Sequence, residues 1–454
     1  MIKLPVEYEN RMKKLLGDEY EEYVKAFSQT PVRAFRVNTE KISKDDFENI
    51  NCFSHKKISY VENGYYFDYD KIGNHPFHHA GMIYVQEPGA MAPAECIEIN
   101  PDWTILDMCA APGGKSSQLR NKLNSDSILV SNEIISSRCK TLTGNIERLG
   151  FKNTVTTCMD TSKLAKNFPA TFDLIMVDAP CSGEGMFRKD ENAIAEWSEE
   201  NVRKCAVRQK EILENAVKCL KNDGYIIYAT CTFSLEENEM TIDSFLQEHP
   251  EFELVPVRKE VEQSTEPGIL FDGCKTENIH YSRRFYPHKS QGEGQFMAVL
   301  HNTLPAFENV YTKKKTTNKD VKIDAVVTEF LDSVLKEYDK NSLRIYNSRP
   351  VFFSDRFEIK EGLAFCLGIT IGEVKKNYVL PHHQFFMAMG NKFRRKIELD
   401  ENSEEIKKYL YGEEFDTDCE NGWAVVTVKG CTLGGVKVVS GRAKNHYPKG
   451  LRIK

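Results

Sequence analysis

No window of the 454-residue chain approaches the ~18 uninterrupted apolar residues of a bilayer-spanning helix. The opening MIKLPVEYENRMKKLL is too charged for the apolar core of a signal peptide. Membrane and secretory roles are therefore excluded, and a cytoplasmic protein is expected. Thirteen cysteines are present without a single C-x-x-C spacing. An odd cysteine total without an export signal predicts free thiols in a reducing compartment, and neither a disulfide frame nor a zinc site. Any cysteine with a task is then expected to be chemical. Nor is there an excess of positive charge: 61 Lys and Arg against 67 Asp and Glu leave a net charge of −6, which alone discourages a polyanion partner.

What is present alters that picture. Hydrophobic residues at 41% and charged residues at 28% describe a globular chain, and at about 150 residues per domain two or three domains are expected. The basic residues are unevenly spread. They bunch at Lys313–Lys315, at Lys392 with Arg394, Arg395 and Lys396, and through Lys437, Arg442, Lys444, Lys449, Arg452 and Lys454, a stretch without one acid. Several such runs in the C-terminal third point to a nucleic acid partner, with the bland alternative of a solvated face.

From residue 1 to about 80 the pattern is helix-rich, followed by alternating strand pieces at Phe35–Thr39 and Ile58–Val61, an N-terminal α+β appendage. From Trp103 onward a beat sets in. Apolar runs at Thr104–Leu106, Ile128–Ser131, Thr154–Thr157, Leu174–Val177 and Tyr225–Ala229 alternate with helical patterns such as Ser136–Leu149 and Glu200–Leu220. That alternation predicts an α/β, doubly wound, Rossmann-like domain over residues 81–305, with its ligands beyond the carboxyl ends of the strands. The polar stretch Tyr311–Asp320 reads as a linker (306–320). It separates the Rossmann-like domain from a first C-terminal α+β unit (321–383), which opens with a helix at Val321–Tyr338 and is followed by a last basic, Gly- and Val-rich unit (384–454).

The first strand runs into Asp107-Met108-Cys109-Ala110-Ala111-Pro112-Gly113-Gly114-Lys115 and then a helix. Small residues let a ligand approach the backbone, and a helix N-terminus favours an anion. The loop fits neither G-x-G-x-x-G nor G-x-x-x-x-G-K-[ST], so dinucleotides and nucleoside triphosphates lack their fingerprints. Glu133 closes the second strand nineteen residues after Gly114, where an acid accepts from ribose hydroxyls. Asp160 ends the third strand, placed for an adenine amino group. A ligand with carboxylate, ribose and adenine suggests S-adenosylmethionine.

The stretch D-M-C-A-A-P-G-G-K resembles the first motif of the RNA cytosine-5 methyltransferases. Asp178-Ala-Pro-Cys181-Ser-Gly-Glu-Gly185 resembles the fourth and Ala229-Thr-Cys231-Thr232 the sixth. Glu184–Lys189, and Lys444–Arg452 at the end, are similar to the bacterial small-subunit ribosomal RNA branch. The resemblance implies S-adenosylmethionine as methyl donor, RNA rather than DNA as partner, 16S rRNA as the favoured substrate, and a C-terminal PUA-like RNA-binding barrel. A monomer is favoured. A tRNA cytosine-5 methyltransferase and a non-catalytic RNA-binding assembly factor are the alternatives.

Carbon 5 of cytosine is a poor nucleophile until a thiolate adds at carbon 6, so such an enzyme needs an activated cysteine. Cys181 and Cys231 both follow strands facing one crevice. The resemblance assigns attack to Cys231 and product release to Cys181, while a Pro-Cys dipeptide keeps Cys181 a rival nucleophile. Ser234-Leu-Glu-Glu237 reads as a capping box opening a helix whose positive end would favour a Cys231 thiolate. Asp178, expected buried with a raised pKa, would hydrogen-bond the cytosine amine and select against uracil. Lys115 is expected at the mouth of the site. Trp423 and Tyr447 are candidate base-stacking residues, with core packing the other reading for Trp423.

Overall fold

The computed structural model describes residues 4–50, 53–306 and 323–453, so the linker candidate Tyr311–Asp320 lies outside the described residues. The central sheet is built on five parallel strands: β1 (Ile105–Asp107), β2 (Leu129–Asn132), β3 (Thr154–Thr157), β4 (Phe172–Asp178) and β5 (Leu220–Thr230). β6 (Gln295–Asn302) joins β5 antiparallel, and β7 (Ala364–Leu367) joins β3 antiparallel. The path is β6-β5-β4-β1-β2-β3-β7, continued beyond β6 by two short strands. The order reverses direction between β1 and β4, which opens the crevice where such sheets bind ligands.

Apolar runs become strands here because both faces of the sheet are covered. Along β4, Ile175 and Val177 enter one core while Leu174 and Met176 enter the other, as the two-residue period requires, and Phe172 joins the first core from across a register shift before Leu174. α1 (Gly114–Lys122), α2 (Ser136–Leu149), α3 (Thr161–Asn167) and α4 (Glu199–Cys219) connect the strands. α2 stops at Gly150, whose φ of 71° suits a residue without a side chain. The Ser198 hydroxyl starts α4 by accepting from the Asn201 N–H at 3.1 Å.

Three expectations are corrected. Ile58–Val61 is a hairpin turn, not a strand: His55–Lys57 pairs with Gly64–Phe67, and buried Ile58 and Val61 lie in the connection. The helix expected at Val321–Tyr338 runs over Ala325–Val334 among the described residues, opened by the Asp324 carboxylate, and Val321 and Lys322 lie outside them. Ser234 does not cap a helix. α5 (Glu239–Glu248) begins five residues later, because Ser234 and Glu237 spend their side chains elsewhere.

The flanking regions are wedded to this core. Tyr8, Met12 and Tyr23 of the N-terminal helices pack with Phe187, Trp197 and Phe233. The N-terminal four-stranded antiparallel sheet shares a core with the last sheet: Phe35, Val37 and Ile83 join Tyr409, Val426 and Tyr447. That last, PUA-like unit is five-stranded, in the order Lys396–Glu398, Gly422–Val428, Cys431–Val439, Arg442–Asn445, Phe415–Asp416. Tyr447 is 2% exposed with its hydroxyl 2.7 Å from His79 Nδ1, so it packs the domain junction and is withdrawn from base stacking. Trp423 is half-buried against Phe386, the core reading.

Candidate active site

The ends of β1 to β5 open into one cavity of about 970 Å³, large enough for a nucleoside-sized ligand with room beside it. Cys109 and Ala111 form its wall after β1, Glu133 after β2 and Asp160 after β3. Asp178 and Cys181 follow β4, and Cys231 follows β5. The remaining predicted loop residues do not line it. Ala110 and Gly113 are buried, Pro112 faces solvent, and Gly114 starts α1. The loop is tied from behind: Ala110 N–H donates to Asn132 O at 2.8 Å, and Arg138 Nη2 donates to Ala111 O at 2.9 Å. Gly113, at φ 110°, makes the turn into the helix.

Glu133 is 4% exposed, yet it borders the cavity. Its Oε1 accepts from the Ile135 N–H at 2.9 Å and its Oε2 lies 3.4 Å from Arg138. Asp160 is exposed and caps α3, its Oδ1 accepting from the Ser162 N–H at 2.8 Å. That hydrogen bonding lowers its pKa and keeps it ionised.

Asp178 departs from its expected apolar burial. One third of its side chain is exposed, and its Oδ2 lies 2.8 Å from Lys115 Nζ. Lys115, only 8% exposed, is not at the site mouth but beneath it. Burial pulls the Lys115 pKa down, but the charges of Asp178, Asp107 and Cys231 outweigh that, and the net shift is upward. Behind this pair lies Asp107, wholly buried, with one oxygen taking the Ser116 hydroxyl at 2.6 Å and the other without a partner. Burial pushes its carboxyl up to about 7.

Cys181 and Cys231, fifty residues apart, meet with their sulfurs 3.3 Å apart. The Cys181 thiol is pushed well up, first by its contact with the Cys231 sulfur and then by burial. The expected helix end beneath Cys231 is absent, since α5 starts at Glu239. Arg208 lines the same cavity as Cys231, and the Lys115 ammonium is paired with Asp178.

Sequence reasoning missed two buried acids that hold these loops, Glu184 and Glu237. In the sequence Glu237 reads as part of a capping box and Glu184 as part of a motif. Their only advance signal is an acid placed within six residues after each cysteine.

Three family descriptions match the chain in order. "N-terminal domain of 16S rRNA methyltransferase RsmF" covers residues 4–88, "16S rRNA methyltransferase RsmB/F" covers 94–301 and "Methyltransferase RsmF PUA domain" covers 394–453. The ribosomal RNA small subunit methyltransferase F of Aeromonas salmonicida is 30% identical over 457 residues, covering 95% of this chain and 93% of its own. The chain belongs to the RsmB/F family of 16S rRNA methyltransferases. The Psychromonas ingrahamii family member is also 30% identical, with 99% and 97% of the two chains covered. A solved methyltransferase homolog from Pyrococcus horikoshii superposes with a TM-score of 0.57 at 28% identity, over 64% of this chain and 93% of its own. The RsmB/F descriptions span the N-terminal region, the Rossmann-like domain and the PUA-like unit, the three regions whose cores interlock above. No helix of the described residues is long and apolar enough to cross a membrane.

Proposed function

We propose that this RsmB/F methyltransferase methylates carbon 5 of a cytosine in 16S rRNA, in the cytoplasm, through a covalent bond from Cys231 to carbon 6. One observation carries the reading: two thiols from neighbouring strand ends stand 3.3 Å apart at a cavity that Asp178 also enters. A pair of cysteines so placed serves a base that must be attacked and then released.

The cavity fits S-adenosylmethionine, which when bound would supply the methyl group. Glu133 would take the ribose hydroxyls, Asp160 the adenine amine, and the small residues Cys109 and Ala111 would let the nucleoside lie close to the backbone. The rest of the work falls to the chain. Asp178, held by Lys115, accepts a hydrogen bond from the exocyclic amine of the flipped cytosine, where uracil would present an oxygen. The Cys231 thiolate adds to carbon 6, and the displaced electron pair makes carbon 5 nucleophilic. After methyl transfer, a solvent base in the cavity takes the carbon 5 proton, the C5–H electron pair re-forms the ring double bond, and the Cys231–carbon 6 bond breaks with its electrons returning to sulfur. Cys181, its sulfur 3.3 Å from that of Cys231, is placed to assist that release. Lys437 and Lys444, paired across adjacent strands and exposed, would bind phosphates without reading sequence.

Incubation of the protein with 16S rRNA and S-adenosylmethionine, followed by nucleoside mass spectrometry, tests the reading. The expected product is 5-methylcytidine. A methylated nucleoside of any other kind, or none on naked rRNA and on small subunits alike, overturns it.

A further inference from the structure

Two buried carboxylates beside the active cysteines touch neither the cavity nor each other's oxygens, and the chemistry above does not use them. Glu184 lies three residues after Cys181 and Glu237 six after Cys231, and they are 2% and 0% exposed. Each reaches across to the other cysteine's loop. Glu237 Oε2 accepts from the Ser182 N–H at 3.0 Å and from Gln209 Nε2 at 2.8 Å, and its Oε1 accepts from the Ser182 hydroxyl at 2.5 Å. Glu184 returns the contact. Its Oε2 accepts from the Phe233 N–H at 2.9 Å, and its Oε1 from the Ser234 hydroxyl at 2.9 Å and the Trp197 indole at 2.8 Å.

The residue after each cysteine is thus bound into the network, and the two meet directly: the Ser182 and Thr232 hydroxyls are 2.8 Å apart. The Gly185 N–H also donates to the Cys231 carbonyl at 2.9 Å. Gly185 in turn packs against Gly294 so closely that a Cβ on it would stand 2.5 Å from the Gly294 carbonyl oxygen. Burying two acids is costly for a fold unless their hydrogen bonds are met, and a satisfied buried network is a rigid one. Covalent chemistry by two thiols on one base needs that rigidity, since a misplacement of about 1 Å costs on the order of 100-fold in rate.

We propose that Glu184 and Glu237 are positioning residues, a reciprocal carboxylate clasp that fixes the distance and orientation of the Cys181 and Cys231 thiols. The inference rests on the reading of these cysteines as the reacting pair. The acids act through the loops they hold and do not touch the base.

The test uses the full-length protein with Ser182→Ala and Glu237→Gln, changes that each weaken the clasp and leave most of its hydrogen bonds in place. Phenylarsine oxide, which bridges two thiols, reports their geometry without RNA or cofactor. Wild type is expected to hold it tightly and Cys181→Ala weakly, which ties the signal to the pair. Both clasp variants should lose about tenfold or more in arsenical affinity and about 10- to 100-fold in kcat, while KM for RNA and S-adenosylmethionine affinity stay within about twofold. Unchanged arsenical affinity and kcat per folded molecule, or a loss that appears only in melting temperature, overturns the clasp. Methylation that persists in Cys231→Ala sinks the nucleophile assignment instead, and the arsenical result still decides the clasp.

Discussion

Replacing Glu133 by alanine separates cofactor binding from folding. Its carboxylate is 4% exposed at the cavity wall and is held by two neighbours, the Ile135 N–H at 2.9 Å and Arg138 at 3.4 Å. A ribose diol donating to that carboxylate makes charge-assisted hydrogen bonds, worth about 1.5–3 kcal/mol in total when lost. That converts to a rise in Kd for S-adenosylmethionine of about 10- to 150-fold. The fold should barely notice. Ile135 is exposed, so its N–H regains a partner in water, and the half-exposed Arg138 forfeits at most about 1 kcal/mol. Titration calorimetry with S-adenosylmethionine, repeated with adenosine alone, reads the loss, and circular dichroism confirms the fold. Glu133→Gln, which keeps the volume and one acceptor, should fall between. A Kd within about twofold of wild type, or a loss for S-adenosylmethionine that is absent for adenosine, would refute the placement of Glu133 on the ribose.

Neutralising the exposed Lys437, Lys444 and Lys449 to glutamine should weaken binding to a 16S rRNA fragment and reduce its log–log salt slope by about 2, at about 0.7 per phosphate contact. An unchanged slope in a filter-binding series assigns these lysines to a solvated face. Asp107→Asn tests the buried acid behind the cofactor loop. Burial raises its folded pKa to about 7, so the stability linked to its proton is fully present below the unfolded pKa of about 3.9 and is lost as pH rises through 7. Wild type should lose up to about 4 kcal/mol more than the variant between pH 4 and pH 7.5 in denaturant titrations. Parallel stability curves would show that Asp107 stays ionised.

The sheet was legible because its strands are buried on both faces and so appear as short runs of apolar and β-branched residues. Thr154–Thr157 and Ser136–Leu149 coincide with their expected bounds, and Glu200–Leu220 is displaced by one residue. The clustering of Glu133, Asp160, Asp178, Cys181 and Cys231 at one cavity followed from that order, since every one of them ends a strand or follows one. Partners brought from a distance were not legible. The sequence marks Lys115 as the end of the cofactor loop but gives no sign of its partner, and only the fold turns it under the cavity to Asp178. Ser234-x-x-Glu237 satisfies a local capping rule, yet tertiary hydrogen bonds to Glu184 and Ser182 take both side chains. Tyr447 likewise sits among basic residues that suggest an RNA surface, while its ring completes a core with the N-terminal sheet. Deleting the chain after Glu398 would therefore strip that shared core as well as the basic tail, which is why point substitutions are the cleaner probe.

In the proposed reaction Cys231 forms the bond to the base and Cys181 assists its breakage. Incubating Cys231→Ala and Cys181→Ala with 16S rRNA and S-adenosylmethionine, and resolving the products by denaturing gel electrophoresis, separates the two roles directly. Without the nucleophile no adduct can form, so Cys231→Ala should give neither methylation nor a slow-migrating complex. Without the release residue the adduct persists, so Cys181→Ala should accumulate a denaturation-resistant protein–RNA complex that contains the transferred methyl group. A complex in Cys231→Ala and none in Cys181→Ala would exchange the two assignments and contradict the account.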